Sequence, residues 1–288
     1  LQSGPAASLQ LLRQWTTCTA ASPPDVNRNS ARDIVEMQQR FEQLLSGKRL
    51  RRQIKIKTAS TQIKRNTDPE YSHYLELIEP ELKHSSEQIK SWLATNPDSP
   101  TISILIPTYN TKPDHLRACL DSICAQSYPH WELCVCDDSS SQSHVCKILT
   151  EYAEQDKRIK LTFRQENGHI CRSSNDALAL ATGEFIALVD HDDVLADDAL
   201  YWVARELQLR PTSNLVYSDE DKIDEFGRRS SPHFKPSFNI DLLLAYNFIS
   251  HLGVYRTETV RSLGAFRIGL EGSQDHDLAL RVIQHSGI

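Results

Sequence analysis

The stretch Phe185–Asp193, FIALVDHDD, constrains this chain more than any other. An apolar run from Phe185 to Val189 stops abruptly at the carboxylates of Asp190, Asp192 and Asp193. A short continuous apolar run reads as a strand buried on both faces. Acids at its carboxyl end then lie on the sheet edge where open α/β folds bind ligands. The Asp-x-Asp spacing puts Asp190 and Asp192 within reach of one hard divalent cation, Mg²⁺ or Mn²⁺. Such ions favour oxygen ligands and can hold phosphate oxygens as well. A strand ending in a polar turn is the plainer reading of the same residues.

The flanking sequence narrows the fold. Ile102–Ile106 reads as a strand ending in Pro107-Thr108-Tyr109-Asn110, and Pro113 opens a helix to about Gln126. Trp131–Cys136 reads as a strand ending in Asp137-Asp138-Ser139, followed by a helix over Ser143–Glu154 and a strand over Ile159–Phe163. A turn at Asn167-Gly168 precedes a helix over Arg172–Ala181, which Gly183 stops. After the Phe185–Val189 strand come a helix over Asp197–Leu209, ended by Pro211, and a strand over Leu215–Ser218. This alternation predicts crossover units and an α/β fold with a mainly parallel sheet flanked by helices. In such a sheet PTYN, CDDSS and DHDD share one edge. No Gly-rich turn follows the first strand, which sets a dinucleotide-binding dehydrogenase aside.

The first hundred residues lack this alternation. The pattern predicts a short helix over Leu9–Trp15, a helix from Ala31 to about Leu50 capped by Ser30, and a helical stretch over Tyr71–Ala94 broken or kinked at Pro80. Asn96–Pro100 reads as a linker, so residues 1–98 form a helical N-terminal region and 99–288 an α/β domain. No acid interrupts the basic residues between Gln43 and Thr67. The run over 48–65 is either a solvated face or a surface drawn to anionic membrane at the inner face of the cell membrane.

Charge limits the partners. Residues 1–100 carry +3 and the remainder −9, so the α/β part is no nucleic-acid binder, although a cation would let it hold a nucleotide. No apolar run reaches the length of a membrane helix, and no signal-peptide pattern is present. The 7 cysteines, an odd number without metal-knuckle spacing, read as reduced thiols of a cytoplasmic protein.

Ile104–Asn110, Asp137-Asp138-Ser139, Asn175, Gly183-Glu184-Phe185 and Asp190–Asp193 together resemble the inverting family-two glycosyltransferases of the GT-A fold. YSDEDKID at Tyr217–Asp224, Phe234-Lys235-Pro236, NFISHL at Asn247–Leu252 and GSQDHDLALR at Gly272–Arg281 resemble the bacterial branch that builds O-antigen, capsule and rhamnose-containing polysaccharides. The resemblance covers Thr101 to the end. It implies a nucleotide-diphosphate sugar donor, a glycan or lipid-linked acceptor, and Mn²⁺ or Mg²⁺.

Carried over residue by residue, the resemblance gives Tyr109 a base to stack on, and Asp138 a base N–H to bind. Pro107 and Asp137 shape that pocket, and Arg172 meets diphosphate or base. Asp190 holds the ribose and, directly or through water, the metal, whose main ligand is Asp192. Asp193 either caps the following helix or orients Asp192. Asp275 is the base that takes the acceptor proton, standing after Gln274 where the family usually has Glu; as a helix N-cap it would have a second reason to be there. Asp219, Glu220, Asp221, Asp277 and His251 are the acceptor-side candidates, with a solvated acidic loop as the plainer reading of 219–221. The family pattern continues past Ile288 with a strand and a His-containing segment that helps hold metal or diphosphate, so a longer chain is expected to transfer sugar faster. Two other functions fit less well. A non-catalytic sugar-nucleotide or glycan-binding module would not need Asp275, and a sugar nucleotidyltransferase would carry a Gly-rich basic loop after the first strand.

Overall fold

Two short strands, β1 (Ser8–Gln10) and β2 (Thr16–Cys18), precede the continuous part of the fold. The computed structural model describes the backbone of these two strands, and residues 69–287 with their side chains. The predicted helix over Ala31–Leu50 and the basic run of 48–65 lie outside the described residues.

Helix α1 (Pro69–His73) passes through a π-helical turn (Tyr74–Ile78) into α2 (Glu79–Leu82). The helix continues through Pro80, and the irregularity expected there takes the form of the π-turn just before it. Proline has no N–H, and its ring crowds the carbonyl one turn back; the wider π-turn accommodates both. The break falls instead before α3 (Ser86–Thr95), where Ser85 Oγ accepts from Gln88 N at 3.2 Å and Gln88 Oε1 accepts from Ser85 N at 2.7 Å. This reciprocal capping box satisfies two otherwise orphaned donors. Ile89 of α3 is buried in the core of the α/β part, so residues on both sides of the Asn96–Pro100 linker share one core.

The α/β part then runs β3 (Ile102–Thr108), α4 (Pro113–Cys124), β4 (Trp131–Asp137), α5 (Ser143–Gln155), β5 (Ile159–Phe163), α6 (His169–Leu180), β6 (Phe185–Leu188), β7 (Val194–Leu195), α7 (Ala199–Leu209) and β8 (Leu215–Tyr217). It continues through β9 (Glu220–Ile223), β10 (Arg229–His233), α8 (Ile240–Ala245), β11 (Gly253–Arg256), α9 (Thr257–Ser262) and α10 (Gln274–His285). The central sheet has the order β2-β8-β11-β6-β3-β4-β5. β6, β3, β4 and β5 are mutually parallel, with Leu105 opposite Leu188 and Thr108 opposite Asp137. β11 runs antiparallel between β6 and β8. The alternating pattern predicted the parallel centre but not this inserted strand.

Every residue of β4 is buried, as a strand covered on both faces requires. Leu133 and Val135 join α4, α5 and α7 in one apolar layer, whereas Cys134 and Cys136 join α6 and α10 in the other. The six described cysteines are free thiols. Gly183 sits where a Cβ would lie 2.6 Å from the Thr101 carbonyl, so no side chain fits at the entry to β6.

A smaller sheet has the order β10-β9-β1-β7. Leu9 and Gln10 lie in β1, paired with β7 and β9, rather than in the predicted helix; the pairing partners are distant in sequence and leave no local signal. The β9–β10 hairpin was likewise invisible, because EDKI and RSSPH have no apolar run. It is held instead by buried polar contacts with the N-terminal helices. Tyr71 donates to Asp221, and Arg229 pairs with Asp221 at 2.6 Å and with Glu79 at 2.8 Å.

Beneath the sheet, at the end away from the three acidic loops, Glu132 accepts from Lys160 Nζ at 2.6 Å, Ser103 Oγ at 2.7 Å and Thr182 Oγ1 at 2.8 Å. Burial alone would raise its pKa; these donors outweigh burial and bring it to about 2, from an ordinary 4.5. A carboxylate depressed by folding stabilises above its unfolded pKa, and the contribution fades as pH falls through its folded one. A shift of this size is worth about 3 kcal/mol. Glu132→Gln is therefore expected to cost roughly that much in denaturant unfolding at pH 7. The gap to wild type should close as pH falls from 4.5 toward 2. A gap that persists unchanged at the acid end would contradict this.

Candidate active site

Parallel pairing carries the ends of β3, β4 and β6 to one edge, and the loops that follow are tied to each other. The Asn110 side chain, on a residue with φ of 50°, accepts from Ser141 N at 2.9 Å and Gln142 N at 3.2 Å. Asp137 accepts from Ser140 N at 3.0 Å and from its hydroxyl at 2.5 Å. Asp137 thus shapes the loop from within. Asp138, also buried, accepts from Gly168 N at 2.8 Å on Oδ1, and the same oxygen forms an ion pair with Arg164 Nε at 3.0 Å. Tyr109 follows β3 on the same edge, with 47% of its surface exposed. Pro107 lies opposite Cys136 at the base of the same loops. Arg172 is exposed on the first turn of α6, and a Cβ on Gly168 would meet both its stem and Arg164 within 3 Å. Arg164 escaped the sequence reading, because a single arginine before a turn carries no pattern.

At the end of β6 the side chains group differently from their spacing in the sequence. Asp190, Asp193 and His251 each offer a ligand atom within 4.8 Å of the others. His251 Nε2 lies 3.5 Å from Asp190 Oδ2, and its Nδ1 lies 3.5 Å from Asp193 Oδ2. Asp192, the expected main ligand, stands outside this group, its carboxylate 3.8 Å from His191 Nδ1. Asp193 does not cap a helix: α7 begins at Ala199, with Asp198 at its N-cap. The reason His251 arrives here is register. β11 is antiparallel to β6 with Gly253 opposite Leu188, so two residues beyond each lie His251 and Asp190. His251, an acceptor-side candidate from sequence, thus stands beside Asp190 and Asp193.

Two carboxylates and an imidazole form a donor set that suits a divalent cation such as Mn²⁺. The Nδ1 of His251 is buried and makes no hydrogen bond among the described residues, which fits a nitrogen reserved for another partner. Burial alone would lower the His251 pKa; Asp190 and Asp193 outweigh it and raise it. The Asp190 side chain is 48% exposed, whereas that of Asp193 is 6% exposed, so an ion would meet solvent and ligand on the Asp190 side.

Asp275 lies in the first turn of α10, where Asn247 Nδ2 donates to its Oδ2 at 2.7 Å and His276 N to its Oδ1 at 2.8 Å. Gln274 accepts from Gly272 N at 2.7 Å, closing the turn before the helix. Asn247, which opens the NFISHL motif but received no role from sequence, fixes the orientation of Asp275.

The acceptor-side candidates separate. Asp221 is 1% exposed and bonded to Tyr71 and Arg229, so it is a scaffold residue and no sugar reaches it. Asp219 is 2% exposed and accepts from Lys235 N at 2.7 Å. Burial pushes its pKa up to about 6 against the pull of Lys235. It too lies beneath the surface. Asp277 is occupied by Arg267 and Arg281, which outweigh burial and lower its pKa. Glu220 is partly exposed, with His233 Nδ1 at 3.1 Å, and is the acceptor candidate that geometry leaves open.

Comparison with known proteins agrees with this architecture. The model of glycosyl transferase family 2 matches residues 103–264, just over half of the chain. The uncharacterized protein y4gI of Sinorhizobium fredii is 48% identical over 187 residues, 65% of this chain and 21% of that protein. The O-antigen biosynthesis protein RfbC of Myxococcus xanthus is 37% identical over 183 residues, 64% of this chain and 14% of that protein. The chain thus spans about a fifth or less of the length of these relatives. Among solved structures, the mannosyltransferase PcManGT from Pyrobaculum calidifontis in complex with GDP-Man and Mn²⁺ superposes with a TM-score of 0.51 at 23% identity, covering 68% of this chain and 58% of that one. S. aureus TarS 1-349 in complex with UDP-GlcNAc gives a TM-score of 0.51 at 22% identity, over 64% of this chain and 53% of that one. With the family match and the shared GT-A architecture, the chain belongs to glycosyl transferase family 2.

Proposed function

We propose that this chain holds the catalytic unit of a metal-dependent, inverting glycosyltransferase. It moves a hexosyl or deoxyhexosyl group from a nucleotide-diphosphate sugar to a glycan or lipid-linked acceptor in bacterial surface-polysaccharide synthesis. The observation that carries the reading is the meeting of the Tyr109–Asp138 pocket and the Asp190–Asp193–His251 group on one sheet edge. The O-antigen role of the Myxococcus xanthus relative and the nucleotide-sugar ligands of the two solved structures support it.

In this reading Tyr109 stacks on the base and Asp138 accepts a base N–H on the oxygen that Gly168 and Arg164 leave open. Arg172 and Arg164 stand beside the pocket, where they meet base or diphosphate. Asp190, Asp193 and His251 hold Mn²⁺ or Mg²⁺, which when bound offsets the charge that develops on the departing nucleoside diphosphate. Asp275 takes the proton from the acceptor hydroxyl as that oxygen attacks the anomeric carbon from the face opposite the leaving group, which inverts the configuration. Asn247 holds the carboxylate in place during the attack. Glu220 is the group left to bind acceptor hydroxyls.

A nucleotidyltransferase is disfavoured because the short loop after β3, Tyr109–Lys112, contains no glycine. A panel of nucleotide-diphosphate sugars tests the proposal by thermal shift with Mn²⁺ present. One donor is expected to raise the melting temperature by several degrees, as a ligand selective for the native state must. A flat response across the panel would rule the donor site out.

A further inference from the structure

The segment Asn247–His251 belongs to no regular element, yet it touches both halves of the proposed chemistry. At one end Asn247 Nδ2 holds Asp275 at 2.7 Å. At the other, His251 stands between Asp190 and Asp193. Between them Ser250 has a φ of 39°, in the left-handed region that side chains other than glycine rarely adopt. Such a conformation persists only where its surroundings impose it. Asn247 Oδ1 contributes by accepting from Ser250 N at 3.3 Å.

The stronger restraint comes from beneath. Lys235 is 3% exposed, and its ammonium donates to the Ile249 carbonyl at 2.5 Å and to the His251 carbonyl. Its third direction faces Glu220 Oε1 at 3.7 Å, on β9. Two of the ammonium's three donors thus go to the loop backbone, and its charge is paired with Glu220. A buried charge is costly unless paired and hydrogen-bonded, and spending one under a five-residue loop calls for a reason. The restrained atoms are the backbone on either side of Ser250.

We infer that Lys235 is a positioning residue: it clamps the Asn247–His251 loop to β9 so that one rigid segment presents His251 to the metal and Asn247 to Asp275. The inference rests on the metal role proposed for His251. Lys235 touches neither substrate nor metal and acts through the two carbonyls it holds.

Mn²⁺ titration followed by electron paramagnetic resonance tests the clamp without reference to turnover. Lys235→Met keeps the length of the side chain and removes its donors. The double variant Lys235→Met/Glu220→Gln also removes the charge that the lysine would otherwise leave unpaired. Each variant is expected to fold with a lowered melting temperature and to bind Mn²⁺ about 10- to 100-fold more weakly, the usual effect of losing a group that orients a metal ligand. Folded variants that bind Mn²⁺ within twofold of wild type would overturn the inference and leave the metal site standing. A double variant that cannot fold would also overturn it, since the lysine would then serve the fold as a whole. Wild-type protein that binds no Mn²⁺ would instead remove the metal role of His251, and the clamp with it.

Discussion

Asp275→Asn is expected to leave donor binding intact and to slow sugar transfer by about a hundred- to ten-thousand-fold. The substitution keeps the shape of the side chain and its contacts with Asn247 Nδ2 and His276 N at least in part. What it removes is the ability to accept a proton from the acceptor hydroxyl. A general base contributes to the rate of the chemical step and not to donor affinity, so the loss should appear in kcat with the donor KM near its wild-type value. This pattern separates a catalytic unit from a binding module, in which Asp275 would have no rate to affect. Turnover unchanged by the substitution would remove Asp275 from the mechanism. A loss confined to KM would make it a binding residue.

His251→Ala and Asp190→Asn are each expected to weaken Mn²⁺ binding by roughly 100-fold or more, because losing even an orienting partner of a metal ligand costs 10- to 100-fold. Asp192→Asn is expected to have a much smaller effect. The ranking follows from geometry: Asp190, Asp193 and His251 converge within 4.8 Å, while the Asp192 carboxylate turns toward His191. A site of this kind must satisfy an ion with few protein atoms, leaving positions for diphosphate oxygens, so each protein ligand carries a large share of the affinity. If Asp192→Asn proves the most damaging and His251→Ala the mildest, the Asp-x-Asp pair predicted from sequence is the metal site and the structural grouping is not.

Much of this was legible in the chain before folding. Largely apolar runs such as Ile102–Ile106 and Trp131–Cys136 mark strands because both of their faces are buried, their few polar residues, Ser103 and Glu132, bonding to each other. Their carboxyl ends had to converge once the sheet was parallel, which put the three polar loops on one edge; the family resemblance then singled out Tyr109, Asp138 and Asp190 within them. The features that stayed hidden share a physical cause: each depends on which distant segments pair. β11 is a four-residue strand like many apolar turns, and only its antiparallel register against β6 puts His251 opposite Asp190. The β9–β10 hairpin is polar, and its stability comes from Tyr71, Glu79 and Arg229 rather than from an apolar face. That same docking buries Asp221 and withdraws it from the acceptor side, a fact no local pattern of acids reveals.

Release of nucleoside diphosphate from a nucleotide-diphosphate sugar, measured on the wild-type chain with Mn²⁺ and again with a chelator, tests the central claim most directly. The account predicts release in Mn²⁺ that falls to background when the metal is removed and returns when it is restored. Release at the same rate in chelator would contradict it.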